Sequence, residues 1–142
     1  MSLDNRAKAV KIISIILILY SILWGLAPFT SINISARFIL DVSDWPLDKL
    51  TQPLSREVMW LSAISAGLLG AISIFFYGII APAVKRNDKP IIKTAIVAML
   101  FWYFIDSIGS IASGVLSNAI FNTIYLILML APLIGIKPKT SY

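Results

Sequence analysis

The sequence predicts an all-α integral membrane protein: a four-transmembrane-helix bundle with a short interfacial amphipathic helix between helices 1 and 2, formed as one transmembrane domain over residues 1–142. Three observations predict it. Of the 142 residues 58% are hydrophobic and only 13% are charged, which falls outside ordinary soluble composition. The charges leave long uncharged runs that match a hydrocarbon layer roughly 30 Å thick. The basic residues gather in the segments that flank those runs, as expected for charges that orient a membrane protein.

Helix 1, about 10–29, contains the 18 uncharged residues Ile12 to Phe29, about 27 Å at 1.5 Å per residue. The outer segment 31–57 places Phe38, Ile39, Val42 and Trp45 at helical spacing with Asp41 and Asp44 between them. This spacing predicts a short amphipathic helix ended by Pro46, lying flat at the outer interface with Trp45, Trp24 and Trp60 at headgroup depth. Helix 2, about 58–82, comes from the uncharged run Val58 to Val84, with Ala81-Pro82 as its stop. A cytoplasmic loop, 83–90, follows. Thr94 to Ile136 is 43 residues whose single charge is Asp106, too long for one span and right for two. Helix 3, about 91–112, and helix 4, about 116–136, then form a hairpin around Ser113-Gly114-Val115, where glycine supplies the backbone angles of a helix ending.

Charge sets the orientation. Arg6, Lys8 and Lys11, then Lys85, Arg86, Lys89 and Lys93, then Lys137 and Lys139 make nine of the twelve Lys and Arg residues, against Arg37, Lys49 and Arg56 between helices 1 and 2. The positive-inside rule puts both termini in the cytoplasm, a parity that four helices satisfy. The first apolar run is longer than a signal-peptide core, and Ile34-Ser35-Ala36 is a poor cleavage site, so the run reads as a span. With no Cys and no His, thiolate nucleophiles, Cys-ligated metals and imidazole base chemistry are excluded. No cofactor or metal is expected, and a catalyst would have to rely on Asp106, Asp41 or Asp44. The basic residues form no aromatic-interleaved stripe, so no nucleic-acid partner is expected either.

The candidate site follows from symmetry about Gly114. Asp106 lies eight residues before it and Asn122 eight after; Ser110 lies four before and Asn118 four after. Asp106 and Ser110 are spaced i, i+4, as are Asn118 and Asn122, so each pair shares one helix face and the two faces meet at matched depths. Ser107, Tyr103 and Tyr125 extend this network, and Trp102 joins Tyr103 and Tyr125 as apolar wall. An Asp at the centre of a span costs roughly 2.5 to 3.5 kcal/mol on insertion scales, so its side chain is expected to face inward. Two readings stand side by side. The four polar residues fasten helix 3 to helix 4, or they form the polar centre of a pocket for a small amphipathic or lipid-like ligand, with proton-coupled transport through Asp106 as a variant. An interhelical hydrogen bond in a membrane yields about 0.6 kcal/mol on average, which makes Asp an inefficient fastener compared with Asn or Ser.

Small residues recur every four positions as Ala63, Gly67 and Ala71 on helix 2, beside Ser62, Ala66 and Gly70, and as Gly109 and Ser113 on helix 3. Such stripes allow close helix contact within the chain, in a homo-oligomer or against a larger membrane complex. WPLDKLTQPLSREVMWLSAISAGLLGA (45–71) and DSIGSIASGVLSNAIFN (106–122) resemble recurring segments of an uncharacterised family of small bacterial four-helix integral membrane proteins. That resemblance implies a bacterial inner membrane and brings no activity with it. The functional expectation is therefore a non-enzymatic, ligand-binding membrane protein with membrane lipid around it, and the rival is an accessory subunit with no ligand of its own.

Overall fold

A computed structural model describes residues 1–47 and 53–136. Lys49, Lys137 and Lys139 of the charge argument, and positions 48–52 of the first quoted segment, lie outside these residues. The described chain is all-helical: α1 (Leu3–Trp24), α2 (Ile34–Ser43), α3 (Arg56–Arg86), α4 (Lys89–Ala112) and α5 (Leu116–Leu130). Among the described residues three helices, α1, α3 and α4, are long and apolar enough to cross a membrane. The fourth apolar helix, α5, has 15 residues and falls short of the predicted 116–136. Its end is set by Pro132, which has no N–H to continue the ladder and disfavours helical geometry in the residue before it. The chain leaves Leu130 through tight turns, with the N–H groups of Leu133 and Ile134 both donating to the Leu130 carbonyl.

The other helix ends follow their capping residues. Ser2 accepts from the Asn5 N–H at 3.2 Å, so α1 starts well before the uncharged run, with Asp4 in its first turn facing the positive end of the helix dipole. Ser55 accepts from Val58 N–H at 3.3 Å and starts α3. Asp88 accepts from Ile91 N–H at 3.4 Å and starts α4, with Pro90 in the first turn. Between α3 and α4 the chain reverses at Asn87, which has φ 59° and closes α3 in the left-handed conformation that Asn tolerates.

Pro82 does not stop α3. A π-helical turn at Phe76–Ile80 precedes it, with the Ala81 N–H donating to the Phe76 carbonyl, and the helix then continues through Pro82 to Arg86. A π turn shifts the register of the carbonyls just where the proline would remove a donor and crowd the preceding turn.

The helices pack as two pairs. Helix α1 runs along α3, and α4 packs along α5. The main core joins the pairs at one end: Val10 from α1, Ile80 and Val84 from α3, Ile92 and Met99 from α4, Met129 from α5 and Leu133 beyond it. At the opposite end α2 covers a smaller cluster of Ala27, Ala36 and Leu54. Between α1 and α3 the contact is made by small residues. Ser14 and Ser73 are wholly buried, and each returns its hydroxyl hydrogen to a carbonyl of its own helix, Val10 at 2.8 Å and Leu69 at 2.7 Å, so neither leaves a polar atom unsatisfied. Most large apolar side chains point outward, among them Ile16, Leu68, Phe101 and Ile108. Such a surface suits hydrocarbon surroundings and not water.

A methyl group added at Gly70 would meet Ser21 Oγ at 2.9 Å, whereas one added at Gly67 meets nothing within 4 Å. Gly70→Leu is therefore expected to destabilise the α1–α3 pair by roughly 1–3 kcal/mol, and Gly67→Leu to leave stability unchanged; denaturation in mixed detergent micelles measures both.

Candidate functional site

The hairpin of α4 and α5 is built by Gly114, whose φ of 83° lets the chain turn back within three residues. The Val115 N–H donates to the Ser110 carbonyl at 2.9 Å, which closes the end of α4 and holds the two helices in one register. In that register Asp106 stands opposite both asparagines. Its Oδ1 accepts from Asn122 Nδ2 at 2.9 Å, Asn118 Nδ2 at 3.1 Å and Ser110 Oγ at 3.2 Å. The second hydrogen of each amide goes to a serine, Asn118 to Ser110 Oγ at 2.8 Å and Asn122 to Ser107 Oγ at 3.3 Å. Ser110 has one hydroxyl hydrogen, which it shares between Oδ1 and the nearer Asp106 backbone carbonyl at 2.8 Å.

Each amide thus spends both hydrogens, one on the carboxylate and one on a hydroxyl. All donors on the carboxylate are neutral, and all of them reach the same oxygen. Among the described residues no donor reaches Asp106 Oδ2, nor the carbonyl oxygen of either amide. None of these three acceptors is sealed from the surface: the buried side-chain atoms without partners lie elsewhere. The cluster is closed on one side by Ser107 and Asn122, which are 6% and 4% exposed, and half-buried at Asp106, Ser110 and Asn118. It is a fixed donor set around one carboxyl oxygen, with three acceptors beside it that no donor reaches among the described residues.

The remaining predicted residues divide. Tyr103 bridges the same two helices one level deeper, its hydroxyl 3.1 Å from Thr123 Oγ1. Thr123 gives its own hydrogen to the Ala119 carbonyl at 2.9 Å, so Tyr103 is the donor. Thr123 escapes the sequence argument because it lies nine residues after Gly114 while Tyr103 lies eleven before it, off the mirror that pairs the others. Tyr125 does not line the cluster. Three residues past Asn122 leaves it about 60° short of a full turn, and its ring packs on Tyr20 of α1 with centroids 5.9 Å apart. Trp102 packs against the main core and is a packing residue.

The end of the bundle that carries α2 holds a second polar feature. Ser117 Oγ donates to the Ser43 carbonyl at 2.6 Å and accepts from the Trp45 N–H at 3.2 Å, fastening the end of α2 to the start of α5. Helix α2 buries Ala36 and Asp41 and turns Phe38 outward, and Trp45 just beyond it is also exposed. The Asp41 Oδ1 and Trp24 Nε1 atoms are buried and without a partner among the described residues. Alternation along α2 gave no hint of this, because it ranked residues by polarity and not by the side that Ala36 leaves free for close approach. Among the described residues no group of three or more acidic side chains lies close enough to hold a metal ion. Compared with known protein families, curated proteins and solved structures, the chain matches none.

A double-mutant cycle distinguishes contact from proximity. Asp106→Ala with Asn122→Ala is expected to show a coupling energy of roughly 0.6 to 1.7 kcal/mol, while Asp106→Ala with Tyr125→Phe is expected to be additive. Equilibrium unfolding in mixed micelles reads both.

Proposed function

We propose that the chain is a four-span, non-enzymatic membrane protein that binds a small amphipathic or lipid-like ligand at the α4–α5 seam, with Asp106 as polar anchor. One observation supports it above the others: Oδ1 of Asp106 takes a hydrogen from each of the two amides while Oδ2 takes none. An Oδ2 with no protein donor keeps acceptor capacity that a ligand can use. A rigid cluster with outward acceptors calls for a ligand that brings donors, such as a hydroxyl, amine or ammonium headgroup, with its apolar part along exposed Ile105 and Ile108. Proton uptake at Oδ2 is the transport variant of the same site.

The four-span reading counts α5 together with the apolar turns after it. Helix α5 covers about 22 Å at 1.5 Å per residue, and Ala131 to Ile136 adds further uncharged chain. Arg6 and Lys89 reach the carbonyls at that end, so the N-terminus, the α3–α4 turn and the end of α5 share one side. Their basic residues make that side cytoplasmic, and the resemblance to bacterial proteins makes the membrane a bacterial inner one.

The rival reading is an accessory subunit or homo-oligomer without a ligand. A groove of about 550 Å³ along α1 and α3, lined by Ser21, Gly25, Ala63, Ala66, Gly67 and Gly70, favours it, since small residues admit another helix closely. Native mass spectrometry of the detergent-extracted protein separates the two. Asp106→Asn is expected to remain folded and to lose a co-purifying small molecule at least about tenfold, a loss of roughly 1.4 kcal/mol in binding; full retention would remove Asp106 from the site. Gly67→Leu, whose Cβ meets no atom of this chain within 4 Å, is expected to keep the same associated masses; loss of a protein partner would favour the subunit reading.

A further inference from the structure

The strongest feature outside the Asp106 cluster is a groove of about 680 Å³ at the opposite end of the α4–α5 pair. Its walls are apolar, Pro90, Ile92 and Ile96 from α4 against Leu133 and Ile134 beyond α5, and its charged lining is Lys89 and Lys93. These lysines are spaced i, i+4 and share one face of α4. Lys89 Nζ donates to the Ile136 carbonyl, which uses one of its three hydrogens. Lys93 is exposed, and no acceptor or ion-pair partner for its ammonium is found among the described residues.

Among the described residues no Asp or Glu lines the groove. The acids at this end are engaged elsewhere: Asp88 accepts from the Ile91 N–H at the start of α4, and Asp4 pairs with Lys85 at 3.2 Å. The carbonyls at the end of α5 are already served, those of Pro132 and Ile134 by Arg6 and that of Ile136 by Lys89. The lysines therefore face an unneutralised apolar trough beside the first turn of α4, whose N–H groups add positive potential.

From this we infer that the groove is a binding site for an anionic phospholipid. The ammonium groups of Lys93 and Lys89 hold the phosphate, and an acyl chain lies against Ile96 and Ile134. The complement is one of charge and shape together: a single-sign cationic rim on an apolar wall fits an amphipath whose charge is negative, and basic pockets between helices at the cytoplasmic surface recognise such headgroups. The site is separate from Asp106, which needs a ligand bearing donors, and it does not require the ligand reading of that cluster.

The test is lipid retention by the purified full chain in neutral detergent, read by native mass spectrometry with dioleoylphosphatidylglycerol and dioleoylphosphatidylcholine supplied in competition. The wild-type protein should retain the anionic lipid about 25-fold better, at about fivefold per lysine near a membrane surface. Lys93→Gln, at a residue that fastens nothing in the fold, should reduce that preference about fivefold, and Lys85→Gln should not change it. Equal retention of the two lipids, or an undiminished preference in Lys93→Gln, overturns the proposal. Displacement by water-soluble glycerol phosphate as effective as by the intact lipid also overturns it, because the apolar wall would then contribute nothing.

Discussion

A carboxylate that must sit among apolar side chains needs donors, and the α4–α5 hairpin is arranged to bring them. Asp106 receives two amides from α5 and one hydroxyl from its own helix on a single oxygen. The two amide contacts cross between the helices and both are present only in this register, whereas the Ser110 contact lies within α4. The hydrogen bonds therefore do more for register than for stability, as expected where each contributes well below the cost of placing the acid. Gly114 makes that register possible, and Tyr103 with Thr123 repeats the interhelical contact one level deeper.

The two ends of the molecule solve a different problem. Helix ends expose carbonyls or N–H groups that have no partner within the helix. At the end shared by the N-terminus and the α3–α4 turn, Arg6 and Lys89 cover the carbonyls that Pro132 leaves behind, so cations meet the negative end of the α5 dipole. At the other end, Ser117 and Asn33 tie α2 to its neighbours through hydrogen bonds to backbone, and α2 covers the small core formed by Ala27, Ala36 and Leu54. In the four-span reading the first end is the cytoplasmic one and the second carries the interfacial helix.

The contact between α1 and α3 is of a third kind. It depends on closeness: Ser14, Ser73 and Gly70 let two backbones approach, and the serines settle their hydroxyls within their own helices. Where the glycines point away from α1, as at Gly67, the same stripe leaves an open trough. The small-residue repeat thus serves two surfaces at once, one already packed inside the chain and one facing outward.

Composition and charge spacing by themselves determined the all-helical class and the apolar runs, because burying backbone in hydrocarbon leaves few alternatives to the helix. Mirror spacing about Gly114 determined that Asp106, Ser110, Asn118 and Asn122 would be neighbours, since a tight turn and a 3.6-residue period fix which side chains meet. What lay beyond the sequence was decided by rotation and by the ends. Tyr125 turned toward Tyr20 because a helix three residues on has not come full circle; Asp41 turned inward because Ala36 was the residue small enough to pack. The π turn before Pro82 let α3 run past its expected stop, and Pro132 closed α5 early. Each of these depends on which neighbour occupies the adjoining space, and only the packed structure supplies that.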